Sequence, residues 1–141
     1  MDFNLERFKK AQEYDYAIAL EEVKGGRKRS HWMWYIFPQL KGLGMSGMAD
    51  FYGISGKEEA LAYLADPVLG NRLREITEVL LTLPNQNAER IFGYPDVLKL
   101  RSCMTLFAAV SEENSLFQQV LDAYYEGEGD TKTLRLLENL G

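Results

Sequence analysis

The chain holds one cysteine and one histidine in 141 residues. Cys103 alone forms no internal disulfide, and one Cys with one His falls short of the ligand set of a structural zinc site. No metal is therefore expected, and stability must come from packing. No apolar run approaches the ~20 residues that span a bilayer, so a membrane role is not expected. The opening residues, Met1-Asp2-Phe3-Asn4-Leu5-Glu6-Arg7, bear acids where a signal peptide carries a basic segment and then an apolar one, and the chain reads as cytoplasmic. There is no phosphate loop of the form GxxxxGK followed by Ser or Thr, and no GxSxG elbow surrounds Ser30 or Ser102. No cofactor is implied. Acids are missing from residues 23–49, where Lys24, Arg27, Lys28, Arg29 and Lys41 are all basic. Lys and Arg are missing in turn from residues 102–131, which hold Glu112, Glu113, Asp122, Glu126, Glu128 and Asp130. With a net charge of −5 the chain is not a general nucleic-acid binder, and a small anion suits its basic segment better than a long polyanion.

What is present fits one globular domain over residues 1–141, with 46% hydrophobic and 26% charged residues. Helix signals dominate. Asn4 or Asp2 suits the cap of a first short helix through Gln12, and Asp15 that of a second through Lys24, stopped by Gly25-Gly26. Gly42, Gly44 and Gly47 mark a loop, after which Ser46 starts a brief helix through Tyr52. Ser55-Gly56-Lys57-Glu58 has the spacing of a capping box for a helix to about Leu64. Asp66-Pro67 restarts the chain. Leu69, Leu73, Ile76, Leu80 and Leu83 then step by 4, 3, 4 and 3, the pattern of one buried helix face. Asn87 caps a short helix ending at Gly93, and Pro95 opens one that is apolar nearly all round. Asn114 and Asp130 cap the last two. The expected fold is all-α, a single compact domain of several short helices.

Chemistry concentrates in Arg27-Lys28-Arg29-Ser30-His31-Trp32-Met33-Trp34-Tyr35-Ile36-Phe37-Pro38-Gln39. Its aromatic and β-branched content suits a buried strand, yet Ser30 is a good N-cap and Pro38 a good stop, so it reads as a short helix. A helix starting there aims the amides of residues 31–33, and the cations before them, at a phosphate or carboxylate. Trp32 and Trp34 offer flat rings for stacking. His31 is the candidate acid or base, although a lone His beside tryptophans is more often a satisfied side chain. On the apolar helix, Lys99 and Ser102 share one face and Arg101 and Thr105 a neighbouring one. Cations there need an anionic partner, either an internal acid such as Asp96 or Glu89, favoured for Lys99, or a ligand, favoured for Arg101. A Cys103–His31 dyad is a weaker idea, because a cysteine on such a helix is usually a small core residue.

Residues 27–39 with Gly42-Leu43-Gly44, together with Leu98-Lys99-Leu100-Arg101-Ser102-Cys103-Met104-Thr105-Leu106-Phe107, resemble the paired signatures of the mostly bacterial family catalogued as domain of unknown function 1810. The likeness extends to Asp66-Pro67-Val68-Leu69-Gly70 and Ile91-Phe92-Gly93. It implies a mainly helical fold and no established activity. Members are sometimes labelled calpastatin-like, but calpastatin inhibitor segments are largely disordered, and this composition is that of a packed globule.

The reading that follows is a small helical protein that binds a small anionic, nucleotide-like molecule in a pocket formed by residues 27–39 and 98–107. Arg27, Lys28, Arg29, Ser30, Trp32, Trp34, Gln39, Lys99, Arg101, Ser102 and Thr105 are its candidate ligand contacts, and His31 its candidate proton-transfer group. The alternative is a non-enzymatic interaction module, its protein partner unknown, in which the tryptophans are core and the acidic residues 112–130 meet the partner.

Overall fold

An amphipathic first helix, α1, runs unbroken over Glu6–Lys24 in the computed structural model, which describes residues 3–140. The expected break at Asp15 does not occur. Its carboxylate instead accepts a hydrogen bond from the Tyr35 hydroxyl, so the helix continues past it. Asp2, one of the two candidate caps, lies outside the described residues, and Leu5 occupies the cap position with no side-chain bond. Helices α2 (Met33–Ile36), α3 (Gly47–Tyr52), α4 (Lys57–Ala65) and α5 (Leu69–Thr82) follow. After them come α6 (Ala88–Phe92), α7 (Asp96–Ala109), α8 (Leu116–Tyr125) and α9 (Thr131–Asn139). Among the described residues there is no strand, so the fold is all-α as the sequence indicates.

Where the caps are local, the sequence signals hold. Ser46, Asn87 and Asp130 each accept from the amide three residues on, at 3.1, 3.1 and 2.9 Å. Asp66 takes the amides of Val68 and Leu69 at 2.9 and 3.0 Å. Three expectations need correction. The carboxylate that reaches back at the start of α4 is Glu59, accepting from Ser55 N at 2.7 Å, and Ser55 itself does not cap. Ser115 caps α8, while Asn114 takes a left-handed turn conformation just before it. Ser30 caps nothing, and α2 starts at Met33, two residues later than expected.

Helix α7 sits at the centre and packs on α4, α6, α8 and α9, while α5 joins α1, α4 and α8. The α5 stripe of Leu69, Leu73, Ile76 and Leu80 is fully buried, each side chain contributing about 1.5–3 kcal/mol. Gly70 allows the close corner between α4 and α5, because a Cβ there would lie 2.1 Å from the Leu64 carbonyl oxygen. An isolated parallel bridge between Leu40 and Ile54 closes the neck of the glycine-rich loop and α3, through Lys41 N to Ile54 O at 2.8 Å and Ile54 N to Gln39 O at 2.9 Å. Gly42, Gly44 and Gly47 have the GxGxxG spacing of dinucleotide-binding turns, but such a turn joins a strand to a helix within a βαβ unit. Here the spacing leads from a lone bridge into the six-residue α3.

Candidate functional site

The basic segment after α1 is drawn back onto that helix by one carboxylate. Glu22 accepts from the amides of Arg29 and Ser30 at 2.8 and 3.0 Å, from the Ser30 hydroxyl at 2.6 Å and from Trp32 Nε1 at 2.9 Å. Burial by itself raises the pKa of Glu22, but these donors outweigh it and hold the group down to about 2. The anion that the sequence pattern asks for near Ser30 is thus supplied by the chain, seven to ten residues upstream.

Asp96, at the first position of α7, joins the two signature stretches. It pairs with Lys28 Nζ at 2.9 Å and Lys99 Nζ at 3.1 Å. Lys28 lies over the Trp32 ring at 4.9 Å and Lys99 over Trp34 at 4.0 Å, so each tryptophan backs one ammonium. Burial acts to raise the Asp96 pKa, and the two lysines more than reverse it, leaving the carboxyl below its usual range. Asp96, one of the two internal acids expected for Lys99, is its partner.

Arg101 belongs to a different cluster. Its Nε donates to Glu128 O at 2.9 Å, an Nη lies 3.6 Å from the Glu128 carboxylate, and the guanidinium sits 5.9 Å from the Tyr125 ring centroid. Ser102 Oγ and Thr105 Oγ1 donate to the carbonyls of Leu98 and Arg101, one turn back on their own helix, and Thr105 Oγ1 also accepts from Asp130 N at 2.8 Å. Gln39 is half-buried, its carbonyl committed to Ile54 N. His31 is exposed, its carbonyl accepting from Tyr35 Oη at 3.2 Å. Cys103 is fully buried, which pushes its thiol pKa well up and leaves it protonated at neutral pH.

Cations free of internal acids gather one step earlier in the chain. Lys28 N donates to Ile91 O at 2.7 Å, which sets the end of α1 beside α6. Between them lies a hollow of about 700 Å³. One wall is Lys24, Gly25, Gly26 and Arg27; the other is Leu83, Pro84 and Asn85 with Arg90 and Ile91. No carboxylate lines it. Among the described residues, neither Arg27 nor Arg90 has an acid within ion-pair range, and Lys24 reaches Glu21 only at 4.0 Å, with both side chains exposed. The carbonyl end of α1, which repels anions, is covered: Gly25, Gly26 and Arg27 donate their amides to the oxygens of Glu21, Val23 and Glu22 at 2.9–3.0 Å. Arg90 is the residue that a sequence reading missed. Its basic charge beside an N-capped short helix was visible, but its proximity to Arg27 depends on the fold.

The molecule is therefore a small all-α protein with a cationic hollow and a basic segment of which Lys28 is paired from within, by Asp96. It belongs to the family described as "Protein of unknown function (DUF1810)", whose model matches residues 2–137. It is similar, at 49% identity and a TM-score of 0.94 over 96% of this chain and 97% of the other, to the crystal structure of the conserved hypothetical protein Rv1873 from Mycobacterium tuberculosis. None of the curated proteins matches the chain. Among the described residues no helix is long and apolar enough to cross a membrane, and no group of three or more His, Cys, Asp or Glu is placed to hold a metal ion.

Proposed function

We propose that the protein binds a small anionic molecule, a phosphate or carboxylate bearer, in the hollow lined by Arg27, Arg90 and Lys24. One observation carries this reading: three cations line a cavity that contains no acid to balance them. Two guanidinium forks with an ammonium beside them suit the oxygens of a phosphate, and an anion bound there replaces water around like charges held close together. The basic segment of residues 27–29 thus keeps its part, through Arg27, while the opposite wall is residues 83–91 and not 98–107. His31 is not among the lining residues, so the proposal is one of binding and gives the imidazole no step. Such a protein works as a cytoplasmic binder of a small metabolite and engages neither nucleic acid nor membrane.

The test is thermal unfolding with inorganic phosphate, sugar phosphates, nucleotides and simple carboxylates. At one hundred times Kd a ligand stabilises by about 2.7 kcal/mol, which is a rise of roughly 5–10 °C in Tm for a chain of this size. The rise is expected to vanish in the Arg27→Ala, Arg90→Ala double variant and to persist in Arg101→Ala. A wild-type protein that no anion stabilises, or a double variant that responds like wild type, sinks the proposal.

A further inference from the structure

The cationic hollow does not end at α1. Gly25 and Arg27 line it on one side and also line a second hollow, of about 630 Å³, on the other side of the helix end. The floor of this second hollow is apolar: Ala17 and Ile18 are exposed on α1, with Ile18 45% accessible, and Tyr14, one turn earlier on the same face, is 80% accessible. Its polar groups are Arg27, Arg29, Glu21 and Glu22, and the Glu22 oxygens are already filled by the four donors described above. One hollow is thus cationic and the next largely apolar, with Gly25 as the saddle between them.

Gly25 is not needed there for its backbone. It has φ −78° and ψ −3°, a right-handed conformation open to any residue, and a Cβ would meet nothing closer than the Glu21 carbonyl oxygen at 3.4 Å. Gly26, by contrast, has φ +75° and closes the helix in the left-handed region that favours glycine. Position 25 lies on the boundary that the two hollows share, and glycine puts no side chain there.

We infer that the ligand is an amphiphilic organic anion, with its charged head among Lys24, Arg27 and Arg90 and an apolar ring or chain laid across Gly25 onto Ala17 and Ile18. This rests on the anion-binding reading above and narrows it to a substrate class. The apolar side carries Glu21 and Glu22 against Arg27 and Arg29, whereas the cationic hollow carries no acid, and this difference turns the charged end toward Lys24, Arg27 and Arg90.

The experiment compares calorimetric titration of the full chain with inorganic phosphate and with 1-naphthyl phosphate. Naphthyl phosphate is expected to bind at least about tenfold more tightly, the gain from burying an apolar group of that size. Gly25→Leu, which fills the saddle while keeping an allowed backbone, is expected to abolish the preference for naphthyl phosphate over phosphate, read as the ratio of the two affinities in that variant. Ile18→Asp, on an exposed position, is expected to do the same without touching the saddle. Phosphate and naphthyl phosphate binding equally well, or Gly25→Leu leaving the preference intact, overturns this inference and spares the anion site. If neither compound binds, the anion site itself is overturned and this inference with it.

Discussion

Arg27 and Lys28 are neighbours in the chain and have opposite fates. Lys28 turns inward to Asp96 and the Trp32 ring, its side chain 8% exposed, while Arg27 projects into a hollow with no acid. The same division separates Glu22, which satisfies four donors, from the 83–91 wall, which brings a second arginine and no carboxylate. The lesson is that a run of basic residues announces a demand for anions but not who meets it. Residues seven to sixty-eight positions away decide that.

The contrast breaks most readily at Glu22. Its replacement by Ala leaves two amides, a hydroxyl and the buried Trp32 indole without their acceptor, and is expected to destabilise the protein by about 2–4 kcal/mol in urea unfolding. A loss under 1 kcal/mol shows that water satisfies the segment equally well. Asp96→Asn is expected to remove about 1–3 kcal/mol, since it leaves Lys28 almost buried without its counter-ion.

Acid titration sharpens the same contrast. The pKa of Glu22 is lowered on folding, from the ordinary 4.5 to about 2, so its stabilising share is whole above about pH 4.5 and is lost as pH falls toward 2. Asp66 and Asp96, also lowered, act with the same sign. Stability measured by denaturant midpoint is therefore expected to fall across that window, and Glu22→Gln to flatten the fall. A slope unchanged in the variant removes Glu22 from the account. The smallest effect belongs to Arg101→Ala: its partner Glu128 is 77% exposed, and a loss of no more than about 1 kcal/mol is expected.

What was legible beforehand follows the range of each interaction. Ser46, Asn87 and Asp130 cap because a side chain and an amide three residues apart settle the matter between themselves. The α5 stripe was readable because period and burial agree along one helix. Ser30 and Asp15 also had the chemistry of caps, but each is taken by a group farther away, Ser30 by Glu22 and Asp15 by Tyr35, and no local pattern displays that competition. At the site, the need for an anion and the part of Arg27 could be read from residues 27–29. Arg90 could not, because it comes to line the same hollow as Arg27 through the fold, where Lys28 N bonds Ile91 O.

The Leu40–Ile54 bridge carries a practical consequence. Both residues are buried, at 2% and 0% exposure, and their backbone bonds hold the two ends of the intervening segment together whatever its tip does. Met45, at that tip, is fully solvent-facing. Lengthening a closed loop adds only about 0.6 kcal/mol for each doubling. The tip is therefore the natural port for an inserted epitope or fluorescent reporter, a handle on the molecule that leaves the cleft beside α1 and α6 undisturbed.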